Sequence, residues 1–338
     1  MNNSEAKPSD CRITKSILDS IGCTPMIEMN IEHEGEKWHF FAKLEFMNPT
    51  GSVKDRIAKY IIEQAEKRGE LKPDSIVVEA TSGNTGIGLS MVCAVKKYRC
   101  IIVMPEHMSV ERRKIMTILG AEICLTPVKE LFEGARNRTR KMASREPKVF
   151  LPRQFENPDN AQCHYYTTAQ EILEQIGDRK IDAFVAGIGT GGTLMGVSKR
   201  LREVNPLCKS IAVEPEEAAM LKGCKTPCTH EIAGIGDGFI PELIDVNKIS
   251  WPDAISSIDA LNMSRKICQT YGMMVGVSSG ANVLAVINIL KKIGKDNIVV
   301  TVLPDRSERY FSTNLYQGNK DEIIRICGQG CENPFCSD

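Results

Sequence analysis

The sequence has no stretch near the roughly 20 apolar residues that span a bilayer. Its start, MNNSEAKPSDCRITK, is polar and carries no apolar core of a secretory signal. Neither membrane insertion nor export is expected, and the expected compartment is the cytoplasm. A charge excess is missing too: Lys plus Arg and Asp plus Glu number 43 each, a formal net charge of zero. Nucleic acid and anionic membrane surfaces are therefore not expected as main partners. Internal repeats and low-complexity tracts are absent. The 13 cysteines are spread out, well short of the roughly 8–10% of a disulfide scaffold, and reduced thiols are expected. Cys224 and Cys228 lie close to His230, and Cys327, Cys331 and Cys336 sit in the tail. Both clusters lack paired Cys-x-x-Cys spacings, so no metal site is expected.

What is present is the balance of an ordinary globular protein, 42% hydrophobic and 25% charged over 338 residues. That length suits one large domain or two modest ones. Short β-branched runs alternate with helical ones. FFAKLEF (40–46), SIVVEA (75–80), CIIVM (100–104) and EICLT (122–126) read as strands. DRIAKYIIEQAEKRG (55–69) reads as a helix, with Ile57, Ile61 and Ala65 four apart and Gly69 as its stop. Further helices are expected from about Thr85 and from Ser109. The rhythm resumes with strands at DAFVAGI (182–188), SIAVEP (210–215) and NIVVTVL (297–303). Such alternation predicts an α/β protein with mostly parallel sheets flanked by helices. Two sheet-forming blocks are expected, roughly 46–152 and 153–325, with an irregular tail over 326–338.

Strand-to-helix turns are where ligands bind in such folds, because helix N-termini offer free N–H groups and a positive dipole end. Four turns stand out. In Asn48-Pro49-Thr50-Gly51-Ser52-Val53-Lys54-Asp55-Arg56 a lysine enters a helix at the end that disfavours cations. Either Asp55 pairs with it at the surface, or an anionic ligand or an imine partner compensates it. The run Thr81-Ser82-Gly83-Asn84-Thr85-Gly86 is dense enough in hydroxyl, amide and glycine to clamp a carboxylate, the plain alternative being an N-cap. Gly187-Ile188-Gly189-Thr190-Gly191-Gly192-Thr193 can cradle a phosphate. It also matches the dinucleotide fingerprint, with Glu214 about 20 residues on, so an NAD-binding Rossmann protein is an alternative at this point. Gly276-Val277-Ser278-Ser279-Gly280-Ala281 is by itself only an N-cap.

Taken together and in this order, the four turns resemble the cysteine synthase (O-acetylserine sulfhydrylase) and cystathionine β-synthase family. The resemblance runs from IGCTPM at Ile21 to RYFSTNLY at Tyr316, and NPTGSVKDR and TSGNTGIGL are its most specific motifs. It implies the two-domain tryptophan synthase β-like fold of pyridoxal-phosphate enzymes, with segment 12–45 packing on the larger domain, and it favours a phosphomonoester over NAD. On this resemblance Lys54 forms the Schiff base with pyridoxal 5'-phosphate and removes the α-proton. Asn84 bonds the ring hydroxyl, Gly189, Thr190, Gly191, Gly192 and Thr193 hold the phosphate, and Ser278 faces the pyridine nitrogen. Thr81, Ser82, Gly83, Thr85 and Gln154 bind the substrate carboxylate. The implied reaction is β-replacement through an aminoacrylate at an O-acetylserine-, serine- or cysteine-like amino acid, foremost O-acetylserine plus sulfide to cysteine.

Within the family the signals divide. PDRSERYFSTNLY and VSSGA resemble cysteine synthases, and RCIIVMPEHMS resembles the cystathionine branch. A homodimer is implied, and a serine acetyltransferase partner is possible for such enzymes. Two positions depart from the usual cysteine synthase pattern. Asp237 stands where that pattern has alanine before GFIP, and Arg153 stands where it has asparagine. A carboxylate at 237 would repel hydrosulfide but could deprotonate water or fix an ammonium. Water as nucleophile would turn cysteine into serine and hydrogen sulfide. An amino-acid nucleophile would give cystathionine or a diaminopropionate-type product. Arg153 could hold a second carboxylate or face solvent.

Overall fold

The computed structural model describes residues 13–316, so the tail cysteines Cys327, Cys331 and Cys336 lie outside the described residues. Among the described residues ten strands form two sheets. The smaller holds β3 (Ile76–Ala80), β4 (Arg99–Pro105), β5 (Glu122–Thr126) and β6 (Val149–Phe150), in the order β5-β4-β3-β6. The larger holds β1 (Met26–His33), β2 (Glu36–Lys43), β7 (Ala183–Gly187), β8 (Lys209–Pro215), β9 (Trp251–Ile255) and β10 (Val299–Val302). Its order is β1-β2-β10-β7-β8-β9. Every strand pair is parallel except the β1–β2 hairpin.

Central strands are apolar on both faces because helices cover both. Cys100 to Met104 of β4 and Ala183 to Ala186 of β7 are buried without alternation. The helices divide by the same logic. α1 (Lys54–Lys67) buries Ile57, Ala58, Ile61, Ile62 and Ala65 and leaves its other face wet. α2 (Asn84–Lys96) and α9 (Val277–Ile293) are buried almost all round, each covered by further helices.

The sequence rhythm missed three strands, β1, β9 and the two-residue β6 at the edge of the smaller sheet. β1 alternates only loosely, and its hairpin turns on Glu34-Gly35, both at positive φ, in place of the commoner Asn-Gly. β9 opens Trp-Pro, which argues against a strand except at a sheet edge, where it lies. The strand expected over 40–46 stops at Lys43, and Glu45–Met47 turns as a 3-10 helix.

That early stop has an electrostatic cause. Glu45 is fully buried and turns to meet Arg56 of α1, whose Nε lies 2.6 Å from its carboxylate. The same guanidinium reaches Glu171 at 2.6 Å, and buried Lys43 reaches Glu171 at 2.7 Å. Thr24 and Asn48 donate to the remaining lone pairs of Glu45 at 2.8 and 2.9 Å. Burial alone would raise the Glu45 carboxyl, but Arg56 beside it holds it below its ordinary value. This cluster fixes the segment between β2 and α1, which leads into Lys54 at the start of α1.

Removing one partner of a buried pair leaves the other uncompensated. Glu45→Ala is expected to cost about 3–5 kcal/mol in urea unfolding. The double variant Glu45→Met with Arg56→Met recovers most of that loss.

Candidate active site

The carboxyl ends of β3, β7 and β10 open onto one cleft between the two sheets, the place where open α/β sheets bind ligands. Lys54 enters from the start of α1, and Thr81, Ser82, Gly83, Asn84 and Thr85 from the turn after β3. Gln154 comes from the connection after β6. Gly189, Thr190, Gly191 and Thr193 come from the turn after β7, Asp237 from the loop after β8, and Ser278 from the first turn of α9. Gly192 is the one residue of the expected set that does not line the cleft. It opens α7 (Gly192–Val204) packed against Asn160, with no room for a side chain.

Lys54 is half-buried at the cleft floor, and among the described residues its amine makes no hydrogen bond or ion pair. Burial pushes its ammonium below the ordinary value, while the carboxylates of Asp237 and Asp305 draw it partway back. Asp55 does not pair with it. That carboxylate is buried, accepts from the Thr50 backbone N–H at 2.7 Å and from the Thr50 hydroxyl, and burial pushes it up to about 6.

The turn after β3 is stapled to the Gln154 segment. Thr85 donates its hydroxyl to Gln154 Oε1 at 2.5 Å. Glu79, buried beneath both, accepts the backbone N–H of Ala80 at 2.9 Å and of Gln154 at 3.2 Å. Burial pushes its carboxyl up to about 7. The first turn of α2 has no side-chain cap, so its leading N–H groups stay available. Asn84 lines the cleft, but its amide donates to Asp305 at 2.6 Å and accepts from Arg309.

The turn after β7 is equally braced. Asn160 donates to the Gln154 carbonyl at 2.8 Å and to the Thr190 hydroxyl at 2.9 Å. His164, which burial pushes down to about 3, is a neutral imidazole set between Thr168 and Thr193. Helix α7 begins without a side-chain cap, so its N-terminal N–H groups are free for an anion. Glu214, the residue a dinucleotide would need, is instead spent on the Leu221 backbone at 3.0 Å.

Asp237 stands between Gly236 and Gly238, whose φ values of +73° and +80° turn the chain over the cleft. Lost hydration raises its carboxyl above the ordinary value, and Lys54 and His230 pull it partway back. His230 is hydrogen-bonded to the Gly236 carbonyl at 2.8 Å, and among the described residues no group of three His, Cys, Asp or Glu could hold a metal. Arg153 is exposed, has a left-handed backbone with φ +53°, and does not line the cleft. The role of holding a second carboxylate in the cleft therefore does not fall to it.

Sequence reasoning missed Arg112, Phe132, Phe155 and Asp305, all of which line the cleft. Arg112 and Phe132 lie on helices of the smaller block whose pattern gives no hint that they face a ligand. Asp305 sits inside PDRSERY, a run noted only for its resemblance.

Comparison with known proteins gives the family and the fold. The family model described as pyridoxal-phosphate dependent enzyme matches residues 17–305. A cysteine synthase of Staphylococcus aureus is 44% identical over 301 residues, covering 89% of this chain and 96% of its own. The crystal structure of a cysteine synthase from Entamoeba histolytica superposes with a TM-score of 0.87 at 41% identity, covering 97% and 95%. A hydrogen sulfide-producing enzyme of Fusobacterium nucleatum superposes with a TM-score of 0.86 at 39% identity, covering 91% and 92%.

The close approach of two turns makes a test. A Cβ at Gly189 would lie 2.3 Å from the Gly234 carbonyl oxygen, so Gly189→Ala must move backbone, at about 1–3 kcal/mol. Roughly tenfold or greater loss of the anion held by this turn is expected, read as weaker retention of its ligand on dialysis.

Proposed function

The chain belongs to the pyridoxal-phosphate dependent enzymes, and from that membership we propose β-replacement at an O-acetylserine-, serine- or cysteine-like amino acid, foremost cysteine synthesis from O-acetylserine and sulfide. The observation that carries this reading is the unpartnered Lys54 amine, set between a carboxylate clamp and a phosphate-type turn. The cysteine synthases of S. aureus and E. histolytica support the same assignment.

The cleft fits the cofactor on structural grounds. Lys54 Nζ and the Ser278 hydroxyl have no protein partner among the described residues, and α7 presents uncapped N–H groups. When bound, pyridoxal phosphate supplies an electron sink that acidifies the amino acid's α-proton and lets a β-substituent leave. Lys54 would hold it, Gly189 to Thr193 would bind its phosphate, and neutral Ser278 would face its ring nitrogen. The remaining N–H of Asn84 would donate to its ring hydroxyl. Thr81 to Thr85 and Gln154 would orient the substrate carboxylate. Because burial lowers the Lys54 ammonium below its ordinary value, the free amine forms more readily and can take the α-proton at Nζ. The homodimer and the cytoplasmic site of action belong to this proposal. Among the described residues no helix is long and apolar enough to cross a membrane.

Asp237 favours a second reading, in which water replaces sulfide. Its carboxylate is a stronger base than an ordinary one and lies within electrostatic reach of Lys54. Water would form the bond to the β-carbon of cysteine, hydrosulfide would leave, and Asp237 would take the water proton, giving serine. The hydrogen sulfide-producing enzyme of F. nucleatum supports this reading.

Lys54→Ala is expected to lower β-replacement by at least about 10²-fold, measured as cysteine formed from O-acetylserine and sulfide. Sulfide released from cysteine alone isolates Asp237. Its carboxylate acts only when ionised, so this activity should fall as pH drops through a value above the usual carboxylate range. Asp237→Asn should remove that acid limb and cut the activity about 10²–10⁴-fold. An unchanged ratio of the two activities would rule out the water reading.

A further inference from the structure

We infer that Asp305 and Arg309 are positioning residues for the cofactor. Together they fix the Asn84 amide so that its remaining N–H, and not its carbonyl, is what the cleft offers to the ring hydroxyl. The inference rests on the pyridoxal-phosphate reading above and adds the two residues that decide how Asn84 meets that group.

An asparagine amide has two ends of nearly equal shape and opposite character, an accepting C=O and an NH₂ with two donors. A hydroxyl or water neighbour leaves either orientation open, because it can donate or accept. Asn84 instead has two neighbours of fixed character. Its Nδ2 donates to Asp305 Oδ2 at 2.6 Å, and its Oδ1 accepts from Arg309 Nη1. A carboxylate only accepts and a guanidinium only donates. Turning the amide over would set C=O against carboxylate and NH₂ against guanidinium, and would forfeit two charge-assisted hydrogen bonds. One N–H of Nδ2 then remains, with no protein partner among the described residues.

The two charges are themselves held from behind. Both side chains are buried, and Arg309 Nη2 donates to the Thr50 and Gly51 carbonyls at 2.7 and 3.2 Å. Arg309 therefore stands on the turn that leads into Lys54. Gly51, at φ +85°, permits that approach, since a Cβ there would lie 2.7 Å from Nη2. Asp305 Oδ2 also accepts the Tyr310 hydroxyl at 2.5 Å. Its Oδ1 makes no hydrogen bond and sits where a Cβ at Gly276 would come within 2.1 Å. Among the described residues no ion pair joins Asp305 to Arg309. Two opposite buried charges that flank one amide without pairing with each other orient it more firmly than a neutral partner could. Arg309 does not line the cleft, so it acts through Asn84. Asp305 does line the cleft, and its charge also reaches Lys54. Its charge and its orienting role must therefore be separated by experiment.

The test uses the full chain and measures the dissociation constant of pyridoxal phosphate by equilibrium dialysis. The absorption band of the bound cofactor, which responds to hydrogen bonding of the ring hydroxyl, is the second readout. Asp305→Ala and Arg309→Met should each weaken the cofactor about 10-fold and shift the band. Asp305→Asn should keep most of the affinity, because its carbonyl can still accept from Asn84 and Tyr310. In an Asn84→Ala background neither Asp305→Ala nor Arg309→Met should cost anything further, since the amide they orient is gone. Losses that add in full to that of Asn84→Ala overturn the inference and leave the pair a structural role. Equal losses in Asp305→Asn and Asp305→Ala also overturn it, by assigning the effect to the charge felt at Lys54. If Arg309→Met fails to fold, the Asp305 variants decide alone. Unchanged affinity and band in Asp305→Ala overturn the inference outright. A wild-type chain that takes up no pyridoxal phosphate is a different failure, that of the cofactor reading itself.

Discussion

A lysine ammonium half-buried at the start of a helix, with no ion-pair partner among the described residues, is the constraint around which this molecule is arranged. The helix dipole disfavours a cation there, and burial disfavours the charge itself. Both pressures act in one direction, towards the free amine. What keeps the side chain in so unfavourable a place is the ion cluster two residues along. There Arg56 is held by Glu45 and Glu171, which anchors α1 by its first turn. The stable part of the arrangement thus lies behind Lys54, and the chemically useful part in front of it.

The cleft is built from turns, and the turns are rigid because buried polar groups cross-link them. Glu79 ties the end of β3 to Gln154, Asn160 ties Gln154 to Thr190, and His164 braces Thr193. Each link joins a different pair of segments, so the carboxylate clamp and the phosphate-type turn are held as one body. Asp305 extends the same linkage to the far side through Asn84 and Tyr310.

Most of this layout was legible in the sequence, for a definite reason. Buried parallel strands appear as unbroken β-branched runs such as IVVEA and CIIVM, and turns that bind ligands are rich in glycine and hydroxyls. The strands that escaped notice lie at sheet edges, where composition is mixed or pairing short: β1 with its Glu-Gly hairpin, β6 with only two residues and β9 with its proline. Single charged residues were legible only where the surrounding turn made them conspicuous. Asp237, framed by glycines, was found, whereas Arg112, on an ordinary amphipathic helix, was not. Arg153 attracted attention by its charge, yet it is exposed, holds a left-handed backbone that the sequence does not print, and does not line the cleft.

The contact between Gly189 and the Gly234 carbonyl reaches beyond packing. It seats the loop bearing Asp237 directly on the turn after β7, so the backbone under residue 237 is set by the turn proposed to receive the anion. Divergence within such a lineage can therefore proceed by exchanging one side chain at 237 while the scaffold stays in register. Insertions or deletions in this loop, by contrast, would displace the turn it rests on. The architecture lets the chemistry drift at a point and forbids it to drift by segments.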